Sequence, residues 1–87
     1  SDWRLAILEC DILLNDLLEK LGYQGDTLGE RLRAVPRDGM ATLDSAWEAH
    51  KIRNAIAHEG SQFTLTKVEA SRVINLYQSV FQEFDFI

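Results

Sequence analysis

The chain has 87 residues, 46% of them hydrophobic and 26% charged, which excludes a disordered segment and allows one domain with one modest core. Its 14 acidic residues against 9 Lys and Arg give a formal net charge of −5. That excludes a surface coating nucleic acid regardless of sequence, but leaves room for a local phosphate pocket.

A single cysteine, Cys10, allows neither an internal disulfide nor a cysteine-based zinc cluster, and fits a reducing, cytoplasmic setting. No stretch of about 20 apolar residues is present, so no membrane-spanning segment is expected. Asp2, Arg4 and Glu9 interrupt any signal-peptide core. The start at Ser1 rather than Met leads us to expect residues 1–87 to be a single domain excised from a longer chain. One proline and 5 glycines are few breakers, which favours long helices.

The first predicted helix runs from Asp2 to Leu21. Leu5, Leu8 and Ile12, with Trp3, Ile7, Leu14, Leu17, Leu18 and Leu21, surround much of it. One apolar stripe suffices to dock a helix, so this distribution predicts burial on two sides, the second by a partner subunit. Gly22 closes the helix. Glu9, Asp11 and Asp16 read as its solvated remainder, although one of them could meet an arginine across the bundle. Cys10 and Trp3 read as packing residues.

The second predicted helix, Thr27 to Val35, opens on a capping box of Thr27 and Glu30 and ends at Pro36 and Gly39. The third runs from Thr42 to His58. The fourth opens on the box of Thr66 and Glu69 and turns Val73, Ile74, Tyr77, Val80, Phe81 and Phe84 to the core. The stretch "FTLT" is too short to pair as a strand. The expected fold is all-α, a compact up-and-down four-helix bundle.

The third helix carries the chemistry. At about 100° per residue, Ser45, Ala49, Ile52 and Ile56 form a core stripe. Leu43, Ala46, Trp47, His50, Asn54 and Ala57 lie roughly opposite. Arg53 and His58 flank Ala57, which predicts a shallow notch sized for a phosphate beside a subunit contact, with His50, Trp47 and Ala57 as interface or supporting residues. His58 falls in the last turn before Gly60, where the helix macrodipole leaves partial negative charge. The residues alone leave plainer readings open. His58 could be a partner of the helix dipole, and Arg53 a solvated ion-pair residue beside Glu48 or Glu59. No metal or cofactor is expected, since His50 and His58 share no carboxylate on their face.

The run Arg53-Asn54-Ala55-Ile56-Ala57-His58 resembles the R-x-x-x-x-H motif of the HEPN superfamily (higher eukaryotes and prokaryotes nucleotide-binding domains), with a polar residue after the arginine. The length and the HEPN-like helical layout agree with the resemblance across the whole chain. It implies a homodimer whose paired motifs face one cleft and cut RNA without metal, as in toxin–antitoxin and prokaryotic defence systems. Arg53 would hold the scissile phosphate, His58 would act as general acid or base towards a 2′,3′-cyclic phosphate product, and Asn54 would orient them. Arg31, Arg33 and Arg37 form the candidate RNA approach. An antitoxin or a fused domain is an expected partner. The alternative implied by the same resemblance is a non-catalytic dimerisation, interaction or nucleotide-binding module.

Overall fold

The computed structural model describes residues 2–86. Among them the fold is all-helical: α1 (Trp3–Lys20), α2 (Leu28–Ala34), α3 (Leu43–Glu59) and α4 (Lys67–Glu83), with a 3-10 turn over Gly60–Gln62. Each expected helix is present, and "FTLT" forms no strand.

Most helix ends are set by nearby residues. Asp2 Oδ1 accepts from the Leu5 N–H at 3.1 Å. Thr27 Oγ1 accepts from the Glu30 N–H and Thr66 Oγ1 from the Glu69 N–H, both at 3.1 Å. The return arms of the two capping boxes differ from the ideal. Glu30 takes the N–H of Asp26 at 2.9 Å, and Glu69 pairs with Arg72. Past α1, Gly22 takes φ +91°. There the Gly22 N–H bonds to the Glu19 carbonyl and the Tyr23 N–H to the Leu18 carbonyl, a closure that a residue with a Cβ adopts only under strain.

The start of α3 is held from a distance. Thr42 makes no side-chain cap of its own. Instead Glu83, the last residue of α4, accepts from the Ala41 N–H, the Thr42 N–H and the Thr42 hydroxyl at 2.9, 2.9 and 2.6 Å. Burial opposes the Glu83 charge, but these bonds outweigh it and bring the carboxyl below its ordinary 4.5. A lowered pKa contributes stability that is present above the ordinary value and lost as pH falls through the shifted one. Glu83→Ala should therefore cost about 1 kcal/mol, a difference that urea melts should show at neutral pH and lose in acid.

Contacts along the helices fix their directions. Arg4 Nη2 donates to the Phe63 carbonyl at 2.6 Å, beyond the end of α3, and Asp11 meets His50, so α1 and α3 are antiparallel. Asp11 also meets Tyr77 and Lys20 Nζ lies 5.3 Å from the centre of the Phe86 ring, so α1 and α4 run parallel. Ile7, Leu14, Leu18, Leu32, Val73, Tyr77 and Val80 are fully buried at the centre, each apolar side chain contributing about 1.5–3 kcal/mol.

The core seam of α3 differs from the expected one. Its buried residues are Ala46, Ala49, His50 and Ile56, while Ser45 and Ile52 are only half-buried. Helix α1 packs on the Ala46–His50 side and rotates the seam that way. Trp47 and Leu43 also pack partly against the protomer's own core.

Helix α2, at 7 residues, covers only part of the α1–α3 face. Arg31 fastens it to the C-terminal half of α1 through Asn15, Glu19 and the Tyr23 carbonyl, which removes Arg31 from the candidate RNA approach. Leu8 and Ile12 lie seven residues before Asn15 and Glu19, on the same side of α1 but beyond the reach of α2. There Leu5 is 49% and Ile12 60% exposed. The two-sided apolar character of α1 is thus real, and the protomer covers one side of it.

Candidate phosphate-binding site

Asp11 sits in the core stripe of α1 with Ile7, Leu14 and Leu18, and is buried. Asp11 is therefore not part of the solvated remainder of α1 but the acid that meets an arginine across the bundle, Arg53. A buried carboxylate is tolerated only with partners, and Asp11 has partners on two other helices. The Tyr77 hydroxyl donates to Oδ1 at 2.7 Å. His50 Nδ1 lies 3.2 Å from both carboxylate oxygens. Arg53 Nε lies 3.4 Å from Oδ2, an ion pair without well-aligned hydrogen-bond geometry.

The remaining bonds close a ring. Arg53 Nη1 donates to Asn54 Oδ1 at 3.1 Å, which turns Asn54 Nδ2 towards His50 Nε2 at 3.4 Å. With Nε2 accepting, the imidazole donates through Nδ1–H to Asp11. The sequence Arg53–Asn54–His50–Asp11–Arg53 fixes the guanidinium in place. Nη2 has no protein acceptor among the described residues.

The ring opens onto a cavity of about 520 Å³ between α2 and α3, lined by Asp11, Thr27, Leu28, Gly29, Arg33, Trp47, His50, Lys51, Arg53 and Asn54. Gly29 lines that side, where a Cβ would stand 3.7 Å from His50 Nε2, in ordinary contact. Arg33 and Lys51 add positive charge to that of Arg53. Together they make a locally cationic patch on an acidic protein, with the charge and N–H donors that a phosphate would require.

The expected notch around Ala57 is not formed. Arg53 turns inward to Asp11, and Ala57 and His58 are both exposed. Neither Glu48 nor Glu59 pairs with Arg53; Glu48 pairs with Arg72. His58 nevertheless shares a face with the cavity floor: Trp47, Lys51, Asn54 and His58 recur at i, i+4, i+7 and i+11. His50 lies inside the protomer beside Arg53, in the supporting role and not at an interface. Among the described residues no group of three His, Cys, Asp or Glu side chains converges as a metal would need.

Arg33 belongs to the candidate RNA approach read from the sequence and lines this cavity; Tyr77, Lys51 and Gly29 carry no site reading in the sequence, and Asp11 carries only that of a possible partner for an arginine. For Asp11 a signal existed: it is the acid in the i, i+4, i+7, i+11 run Ile7, Asp11, Leu14, Leu18. Cys10, half-buried, stands next in the chain, and burial followed by the Glu9 and Asp11 charges raises its thiol pKa, which keeps it a thiol rather than a nucleophile.

Burial, then the Asp11 charge, pushes the Tyr77 phenol far above its ordinary 10.0. A group protonated in the fold but free to ionise when unfolded contributes stability present below its ordinary value and lost as pH rises above it. Thermal melts should therefore fall steeply above about pH 10, and Tyr77→Phe should flatten that slope.

No known family model matches the chain, and no curated protein or solved structure is significantly similar to it.

Proposed function

We propose that this chain is a HEPN-like, metal-independent endoribonuclease domain that works as a homodimer. The observation that carries the reading is the guanidinium of Arg53, locked by Asp11 and Asn54 at the wall of a cavity shared with Arg33 and Lys51. An arginine fixed in this way offers its remaining N–H donors to a phosphate without reorganising, the condition under which charge stabilisation is most effective.

His58 supplies the acid–base function. It lies one turn beyond Asn54, at i+4 on the same face, with its imidazole open to solvent. The proton of an RNA 2′-OH passes to a neutral imidazole as the 2′-oxygen bonds to phosphorus and the bond to the 5′-oxygen breaks. An imidazolium, supplied by the second copy across the cleft, protonates the leaving 5′-oxygen. The products are a 2′,3′-cyclic phosphate and a 5′-hydroxyl, and Arg53 offsets the charge gathering on the phosphoryl oxygens.

The uncovered half-face supports dimerisation at this place. The antiparallel register sets the start of α1, with Leu5 and Leu8, level with the last turns of α3 that carry Ala57 and His58. A two-fold contact there would bury the apolar stripe and bring two copies of the motif together. Ile12→Glu should convert a dimer to a monomer in light scattering and leave the helical circular dichroism unchanged, since Ile12 touches solvent. A wild-type protein that is monomeric at high concentration would remove the composite site.

A second reading is favoured by the ring itself. Arg53 is already neutralised by Asp11, which suits a structural arginine in a dimerisation or nucleotide-binding module. Cleavage of RNA that depends on His58 separates the two, because His58 has no part in the ring.

A further inference from the structure

Trp47 stands where three hollows meet. It lines the cavity beside Arg53. It also lines a second hollow of about 580 Å³ with Arg33, Asp44, Glu48 and Lys51, and a third of about 280 Å³ with Arg37, Met40, Ala41, Leu43 and Asp44. A tryptophan used only for packing would have its faces covered by apolar neighbours. This one is half-buried, and the spaces beside it are rimmed by Arg33, Arg37 and Lys51.

The two acids at the rim act differently. Glu48 is held by Arg72, so its charge is compensated. Asp44, in the first turn of α3, has no ion-pair partner among the described residues and repels phosphate from that end. The favourable position for an anion is therefore the Arg33–Lys51 side, towards Arg53. An aromatic face with cations on one flank matches a base stacked beside its own phosphate.

We infer that Trp47 is the stacking platform for one nucleobase of single-stranded RNA, whose adjoining phosphate lies between Arg33 and Lys51 and whose chain continues along α3 past Asn54 towards His58. The inference rests on the ribonuclease reading and gives it a substrate class: unpaired RNA, since a base within a duplex cannot leave its stack to reach the indole without added cost.

The test uses the chain with Trp3→Phe, so that Trp47 is the remaining indole of the 2 in the sequence. A 2′-O-methyl RNA hexamer, which lacks the attacking hydroxyl, is titrated at low salt alongside an abasic sugar–phosphate hexamer. The hexamer should quench Trp47 fluorescence saturably, and the abasic probe should bind more weakly and quench little. Trp47→Ala should weaken hexamer binding, measured by anisotropy, roughly 5- to 150-fold, as expected from about 1–3 kcal/mol per stacked base. Trp47→Phe should weaken it less, and this variant together with the abasic probe keeps the result independent of how well Trp47→Ala folds. If the abasic probe binds as tightly as the hexamer, the stacking site is refuted and the ribonuclease reading stands. If the hexamer quenches Trp47 but unblocked RNA is never cut, the stacking site stands and the ribonuclease reading falls. If nothing binds, both fall.

Discussion

Asp11→Ala should lower the stability of the fold by about 3–5 kcal/mol, the range for breaking a buried ion pair by removing one partner. Asp11 is 5% exposed, accepts from the Tyr77 hydroxyl, lies within reach of His50 Nδ1 and pairs by charge with Arg53, so its removal leaves buried polar groups on two helices without their main partner. A domain of this length has roughly 0.05–0.15 kcal/mol of stability per residue, so the loss is a large share of the whole. Tyr77→Phe removes the bond to Asp11 and a longer one to the Ala49 carbonyl but keeps the ring system, and should cost less, about 1.5–3 kcal/mol for a hydrogen bond to a charged group. Urea unfolding of the two variants beside the parent checks the order. Equal, small losses would mean that Asp11 does not organise the core.

The second large effect concerns activity. His58→Ala should reduce RNA cleavage by roughly 10²- to 10⁴-fold, the usual contribution of a positioned acid–base group, while moving stability by no more than about 0.5 kcal/mol, as for other surface substitutions. Arg53→Ala is a less clean probe. It removes the Asn54 contact and the counter-ion of Asp11, so it should lose both activity and about 1–3 kcal/mol of stability. The ring is the reason Arg53 cannot be removed without structural cost. A thermal melt run beside each cleavage assay separates the two contributions.

The parts of the fold legible in the sequence are those whose causes lie within one turn of the chain. Thr27 and Thr66 announce helix starts because the N–H each accepts from is three residues away, and Gly22 announces an end because only its own φ is at issue. The start of α3 shows the opposite case. Thr42 marks the start of the third helix in the sequence, yet the carboxylate that holds the turn is Glu83, 41 residues away. Spacing within one helix carries no trace of such a partner.

The site divides along the same line. Arg53, Asn54 and His58 stand out in the sequence because they share a short motif, and His50 and Trp47 because they share the helix. Asp11 and Tyr77 come from helices whose register against α3 is set by tertiary packing, with 39 residues separating Asp11 from His50 and 66 separating it from Tyr77. Helical angles place Arg53 and His58 about 140° apart, but they cannot say that Arg53 turns inward to a buried acid. That single interaction moves the candidate anion site from Ala57 to the α2 side of α3.

Cleavage of a labelled, unstructured RNA by the purified protein in EDTA, with wild type and His58→Ala compared at equal protein concentration, tests the central claim most directly. Wild type should cut and leave 2′,3′-cyclic phosphate ends, and a His58→Ala variant of unchanged melting temperature should not. Equal cleavage by both, or none by a folded wild-type dimer, would contradict it.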